Sequence, residues 1–138
     1  VHCSATREGC TLTSEALEAE HRRRGFRTTG YHYYIRRDGT VLGTRSLELP
    51  GAHCRGHNKY SIGICYEGGL DARGNPKDTR TPEQRSALHL LVYQLLQQFR
   101  NARVCGHRDL SPDLDGDGTV EPWEWVKQCP CFEVSKEF

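Results

Sequence analysis

The sequence predicts an α/β fold in which helices cover both faces of a β-sheet. Two observations lead to this prediction. Segments with strand-like alternation are interleaved with segments of helical periodicity, and one helical segment carries a long apolar stripe. Strands that alternate with helices favour a sheet covered on both sides. With 138 residues, the chain is long enough to bury such a core as one domain, residues 1–138.

The first predicted elements are a helix and a β-hairpin. The helix begins after its N-cap Thr13 and ends near Gly25. Residues 31–36 alternate in the manner of a strand, and the Arg-Asp-Gly-Thr sequence at 37–40 predicts a hairpin turn. A second strand therefore follows at residues 41–42.

The clearest helix of the chain begins after Thr81. Thr81 is the predicted N-cap, Pro82 takes the first helical position, and Gln84 can complete a capping box. Apolar residues then recur at helical spacing, which predicts a core-facing stripe. That stripe consists of Leu88, Leu91, Val92, Leu95, Leu96 and Phe99.

Three shorter segments complete the pattern. Residues 61–66 are predicted to form a strand in the interior of the sheet. Residues 102–105 are predicted to form a short strand that leads to His107, and residues 123–127 one or two helical turns.

Charge and hydropathy exclude several classes of protein. Nineteen lysines and arginines balance 18 acids, so no nucleic-acid partner is expected. No apolar stretch approaches the ~20 residues that span a bilayer, and the first residues lack a signal-peptide pattern. We therefore expect cytoplasmic synthesis, no membrane insertion and a monomer. Seven cysteines are an odd number, and we expect mostly free, buried thiols.

Two histidines and a cysteine in widely separated fragments point to a zinc centre. His2 lies in Val-His-Cys-Ser-Ala-Thr, His107 in Gly-His-Arg-Asp, and Cys129 in Lys-Gln-Cys-Pro. Two imidazoles and one thiolate can bind zinc and leave a fourth position open for water, as catalytic sites do. Cys131 and Cys105 are rival candidates for the thiolate.

Several ordered motifs give the chain a family resemblance from end to end. They lie at residues 1–6, 30–33, 37–39, 51–53, 58, 61–64, 106–109 and 127–130. With these motifs the chain resembles the zinc-dependent N-acetylmuramoyl-L-alanine amidases, which include phage lysozyme-type amidases and peptidoglycan recognition proteins. The resemblance implies a central mixed β-sheet flanked by helices. It also implies a catalytic domain that hydrolyses the amide bond between N-acetylmuramic acid and L-alanine in peptidoglycan, and so a cell-wall lytic enzyme.

The resemblance also implies roles for individual residues. The family's cysteine ligand precedes a proline, which favours Cys129 over Cys131. A phenol and an ammonium group beside the metal can stabilise the charge that develops on the substrate oxygen. The implied zinc ligands are His2, His107 and Cys129, the implied catalytic residues are Tyr31 and Lys127, and His53 and Asn58 are implied to line the substrate groove.

Residues 113–124 match an EF-hand calcium loop. Acids occupy loop positions one, three and five, glycine position six, and glutamate position twelve. The rival interpretation is an acidic, glycine-rich surface loop. The predicted calcium ligands are Asp113, Asp115, Asp117, Thr119 and Glu124. Calcium would stiffen the segment between His107 and Cys129.

Parts of the sequence are also compatible with three other functions. The first is a peptidoglycan-binding module without catalysis, and the second is a calcium-stabilised structural domain in which zinc serves only stability. His107-Arg108-Asp109-Leu110 also resembles the start of a protein-kinase catalytic loop. Leu114 stands where a kinase requires asparagine, and no glycine-rich nucleotide loop precedes the motif, so the kinase interpretation fails.

Overall fold

The computed structural model describes residues 1–138 and contains two α-helices, a four-stranded sheet and a separate pair of short strands. The strands are β1 (His2–Cys3), β2 (Thr6–Arg7), β3 (Tyr33–Ile35), β4 (Val41–Gly43), β5 (Ile64–Tyr66) and β6 (Gly69–Leu70). The helices are α1 (Ser14–Arg23) and α2 (Pro82–Gln98). Single 3₁₀ turns lie at Asn58–Tyr60, Arg108–Leu110, Pro122–Glu124 and Val134–Lys136.

The main sheet is mixed, with strand order β1-β5-β3-β4. β5 is parallel to both β1 and β3, whereas β3 and β4 form an antiparallel hairpin. The hairpin closes where predicted: Arg36 N–H donates to Thr40 O over 2.9 Å, and Gly39 has a φ of +85°. The interior position predicted for the strand ending at Tyr66 is confirmed.

The two helices cover opposite faces of this sheet. Side chains alternate between the faces along each strand. Tyr34 and Cys65 pack with Leu17 of α1, whereas Ile35 and Tyr66 pack with α2. The predicted α/β class with a helix on each face is therefore confirmed. The larger core, on the α2 side, contains Cys3, Ile35, Ile64, Tyr66, Leu88, Leu91, Val92, Phe132 and Val134.

The predicted start of α2 is confirmed in detail. Thr81 Oγ1 accepts from Gln84 N–H, and Gln84 Oε1 accepts from Thr81 N–H, each over 3.1 Å. The stripe faces the core from Leu88 to Leu96, but Phe99 is 39% exposed. The helix ends at Gln98, and Phe99, with a φ of −118° and a ψ of 70°, is no longer helical and does not continue the stripe into the core.

One predicted element is wrong, and another is shorter than expected. Residues 102–105 form no strand: this segment meets the sheet edge only at Val1, whose N–H donates to Cys105 O and whose carbonyl accepts from His107 N–H. The helical turns predicted at 123–127 reduce to Pro122–Glu124. Trp125 leaves the helical conformation, and its ring stacks under the Arg108 guanidinium at 4.0 Å.

Other boundaries are shorter than expected. β3 begins at Tyr33 and β5 at Ile64, two and three residues later than the sequence pattern indicates. All seven cysteines are free thiols, as expected, but only Cys3, Cys54 and Cys65 are buried. No helix has the length and apolar character needed to cross a membrane.

Candidate metal centre

The fold brings His2, His107 and Cys129 together. One ligand atom from each lies within 4.8 Å of the other two. His2 Nδ1 is 3.8 Å from Cys129 Sγ, and the His2 and His107 ring centroids are 4.7 Å apart. Two imidazoles and a thiolate are donors that zinc accepts readily, so the residues present fit the metal that the sequence predicts.

His2 occupies the centre of this cluster. Its strand β1 pairs with β5, which fixes its backbone, and only 3% of the residue is exposed. Its ring lies 5.2 Å from the Tyr31 ring and 4.9 Å from the His53 ring, measured between centroids. The imidazole is therefore enclosed by other aromatic rings.

The segments that carry His107 and Cys129 pack directly against each other. Arg108 N–H donates to Cys129 O over 2.9 Å. A Cβ atom added to Gly106 would lie 2.6 Å from Pro130 Cδ, so only glycine permits this approach. Asp109 Oδ2 accepts from Gly106 N–H over 2.7 Å and closes the turn. In the Gly-His-Arg-Asp motif, the glycine and the aspartate therefore fix the backbone that positions His107.

Local electrostatics distinguish Cys129 from its rivals. The pKa of the Cys129 thiol is lowered by hydrogen bonds from the Cys3 thiol and the Cys3 N–H, which outweigh burial. Burial raises the pKa of Cys105, whereas that of Cys131 is raised mainly by its contact with the Cys3 thiol. Cys131 Sγ instead donates to Gly69 O over 3.3 Å. The structure thus places Cys129, rather than Cys131 or Cys105, with the two histidines.

Both clustered histidines favour the neutral imidazole. Burial is the main cause that lowers the pKa of His2 and of His107, and the Lys127 charge adds to it. A neutral imidazole is the form that binds a metal.

Tyr31 and Lys127, predicted to be catalytic, differ in their surroundings. The Tyr31 ring contacts His2, and burial raises the pKa of its phenol well above the usual value, so the hydroxyl keeps its proton. Lys127 is exposed and makes no hydrogen bond or ion pair. Its ammonium group is free to reach toward the cluster.

His53 and Asn58, predicted to line the groove, are connected to each other. Asn58 Oδ1 accepts from His53 N–H over 2.8 Å and from Cys54 N–H over 2.9 Å. His53 Nδ1 lies 3.0 Å from His2 Nε2. Burial lowers the pKa of His53 to about 4. The Asn58 side chain therefore fixes the loop that carries His53.

An open cavity of about 510 Å³ adjoins the cluster. His2, His53 and His107 form one end of it, and apolar side chains from the end of α2 form another part of its wall. Sequence reasoning did not anticipate that Phe99 lines this cavity, nor that Ser61 contacts His53. The Ser-Ile-Gly-Ile motif at 61–64 was the available signal for Ser61.

The acidic loop also brings carboxylates together. Asp113, Asp115 and Glu124 form one group, and Asp115, Asp117 and Glu121 another, each with oxygens within 4.8 Å. Many of these oxygens already accept backbone N–H groups; Asp113, for example, accepts from residues 116 and 118. Thr119 donates its N–H to Asp117 over 2.8 Å. Glu121 Oε2 is buried without a partner.

A His-His-Cys donor set centred on the buried His2, beside an open groove and on a mixed sheet with a helix on each face, is typical of the metallohydrolase class of site. The chain belongs to the N-acetylmuramoyl-L-alanine amidase family, whose profile matches residues 1–130. The family and fold predicted from the sequence are thereby confirmed.

Individual relatives agree with this assignment. The chain is 35% identical over 136 residues to the endolysin of Enterobacteria phage K11, covering 99% of this chain and 81% of the endolysin. It is 47% identical over 97 residues to an uncharacterized protein of Haemophilus influenzae, covering 70% and 84% of the two chains. The N-acetylmuramoyl-L-alanine amidase LysC from Clostridium intestinale superposes with a TM-score of 0.75 at 26% identity, covering 99% of this chain and 76% of LysC. The protein is a cell-wall lytic amidase.

Proposed function

We propose that this enzyme cleaves the bond between N-acetylmuramic acid and L-alanine with a zinc ion bound by His2, His107 and Cys129. The observation that supports the proposal is the meeting of three zinc-type donors from separate parts of the chain within 4.8 Å. Burial lowers the pKa of both imidazoles and so favours their neutral form, whereas hydrogen bonds from Cys3 lower the pKa of the Cys129 thiol against the effect of burial. Neutral imidazole and thiolate are the forms that coordinate zinc.

Bound zinc would acidify a water molecule and polarise the amide carbonyl. Tyr31, whose ring contacts His2, would donate its phenolic proton in a hydrogen bond to the oxygen that becomes negative. Lys127 would bring a positive charge to the same oxygen from the solvent side of the site. These two residues thus stabilise the transition state rather than the bound substrate.

The groove beside the cluster suits a peptidoglycan or muropeptide substrate. His53 forms part of its lining, whereas Asn58 would act on substrate only through the loop that it fixes. Residues 1–138 would form one catalytic domain, synthesised in the cytoplasm and acting on the cell wall as a monomer.

A peptidoglycan-binding module without catalysis is the alternative. Loss of a metal ligand, the cysteine above all, would be the simplest route to such a module. Here the cysteine is present, its pKa is lowered, and it lies next to both histidines. These observations favour the enzyme.

Purified muropeptides test the proposal. Incubation with the zinc-loaded protein should release free L-alanine amino termini, detected with an amine-reactive reagent. A chelator should abolish the release, and zinc, but not calcium, should restore it. A zinc-loaded protein that binds peptidoglycan without releasing amino termini would show that the binding-module alternative is correct.

Calcium binding at residues 113–124 stays a prediction from the sequence. The loop is exposed apart from the buried Glu124 and a few half-buried positions, and backbone N–H groups already occupy many of its carboxylate oxygens. Glu121 Oε2 is the one carboxylate oxygen of the loop that is buried without a hydrogen-bond partner.

A further inference from the structure

A row of hydrogen-bonding groups leads away from His2 on the side opposite Cys129. His2 Nε2 lies 3.0 Å from His53 Nδ1, and His53 Nε2 lies 3.4 Å from Ser61 Oγ. Ser61 Oγ in turn donates to the His57 backbone carbonyl over 2.8 Å. Every ring nitrogen of His53 therefore faces a polar neighbour.

The direction of each hydrogen bond in this row follows from counting protons. Ser61 has one hydroxyl proton, which the closer His57 carbonyl takes, so Ser61 Oγ offers a lone pair to His53 Nε2. A neutral imidazole carries one N–H, so His53 has its proton on Nε2 and a lone pair on Nδ1. The facing Nε2 of His2 must then carry the proton.

This proton placement leaves the other nitrogen of His2 available. With its proton on Nε2, His2 presents the Nδ1 lone pair toward Cys129 Sγ, 3.8 Å away. The opposite tautomer would put a proton on Nδ1, and His2 would then present no lone pair to a metal bound in the cluster. The tautomer of His53 thus decides which nitrogen of His2 carries the proton, and so whether His2 Nδ1 can bind a metal.

The His53 ring is also held rigidly. A Cβ atom on Gly51 would lie 2.3 Å from the ring, and one on Gly63 would lie 2.5 Å from it. The ring therefore occupies a slot that exists only because both neighbours are glycine. Asn58 fixes the backbone of His53 at the same time.

We propose, on the basis of the proposed zinc site, that His53 is a positioning residue: it locks His2 in the tautomer whose Nδ1 points at the metal. Outer partners of metal-bound histidines commonly set tautomer and ring orientation in this way, and their loss costs roughly 10- to 100-fold in metal affinity. His53 acts through His2 and needs no contact with the substrate to do so.

Zinc affinity and His2 tautomer, measured without substrate, test this role. His53→Ala should weaken zinc binding roughly 10- to 100-fold in competition with a chelating indicator. The ¹⁵N chemical shifts of His2 in the zinc-free protein should change from a single Nε2–H tautomer to a mixture. His53→Asn should recover much of the affinity, because its side-chain oxygen can accept from His2 Nε2–H.

His57→Ala is the matched control. Its side chain is exposed and makes no hydrogen bond, while its backbone carbonyl still accepts from Ser61. Zinc affinity and the His2 signals should match those of the wild type.

A second variant guards against a folding defect in His53→Ala. Ser61→Ala removes the hydroxyl oxygen that accepts from His53 Nε2, but it leaves the Ser61 backbone in place and does not empty the slot between the glycines. It should also give a mixed His2 tautomer and a smaller loss of zinc affinity, with an unchanged circular dichroism spectrum.

Unchanged zinc affinity and an unchanged His2 tautomer in both variants would overturn the positioning role. A rise in KM alone, with normal zinc binding in His53→Ala, would overturn it in favour of direct substrate contact. A wild-type protein that binds zinc with a single His2 tautomer but cleaves no muropeptide would contradict the proposed function and leave the role of His53 standing.

Discussion

The cluster of His2, His107 and Cys129 and the acidic loop at residues 113–124 both gather potential metal ligands, but they differ in construction. Both bring potential ligand atoms within 4.8 Å. The first is assembled from three separate segments and centred on a residue that is 3% exposed. The second comes from one continuous, largely exposed loop whose oxygens accept local backbone N–H groups.

The difference shows when a short distance between potential ligand atoms indicates a metal site. Acids in a short loop are near one another because the chain is connected, and water and backbone donors can satisfy them. Donors from distant segments meet only when the interactions of the folded state offset the entropy lost in bringing them together. Burial then leaves them few partners other than a metal. The two regions should therefore respond differently to substitution.

The largest expected effect is the loss of zinc from Cys129→Ser. A serine hydroxyl keeps its proton near neutral pH, so the affinity should fall by more than the roughly 100-fold that loss of an outer partner can cost. Metal analysis after dialysis should find almost no zinc. Cys131→Ser is the control and should keep its zinc. Retention of zinc in Cys129→Ser would remove the distinction between the two regions.

The next effect concerns the reaction itself. Tyr31→Phe should lower kcat about 10²- to 10³-fold, the usual result of removing one donor to a developing oxyanion. Zinc content should be unchanged, because the phenol is not a ligand. Tyr33→Phe, on the face of the sheet that packs toward α2, is the control. Equal steady-state rates for the two variants would exclude a catalytic role for Tyr31.

Lys127→Ala should have a smaller effect on catalysis. Its ammonium group is exposed, and a charge in high-dielectric surroundings contributes about 1 kcal/mol at 4 Å, which corresponds to roughly fivefold in kcat. The loss should shrink further at high salt. Lys136→Ala, which removes an exposed charge near the chain end, should leave the muropeptide rate unchanged. A decrease that does not depend on salt would point to a direct hydrogen bond instead.

The smallest effect is expected at the acidic loop, where calcium should change stability and not chemistry. At 100 times its Kd, calcium should raise the Tm of the wild type by about 8 °C, because ligand binding then adds about 2.7 kcal/mol. Asp115→Ala should abolish this shift and leave zinc content unchanged. Asp71→Ala, in another exposed turn, should behave as the wild type does. No calcium-induced shift in the wild type would leave the loop as a hydrogen-bonded turn.

Prediction from the sequence succeeded best where structure is local. The capping box of α2 and the Asp-Gly hairpin turn depend on residues a few positions apart, and both occur as predicted. It failed where a distant partner decides the conformation. Trp125 leaves the helical path where its ring meets Arg108, and residues 102–105 find only Val1 at the sheet edge.

The sequence alone determined the fold class, the family and the residue types that can bind zinc, because motif order and local periodicity are written along the chain. Residue types alone do not distinguish Cys105, Cys129 and Cys131 as the thiolate ligand. That choice depends on which thiol lies beside the two histidines. The chain of contacts from His2 through His53 to Ser61 likewise exists only in three dimensions. Hydrogen bonds and close packing act over a few ångströms, so the tertiary structure had to decide what distant residues do together.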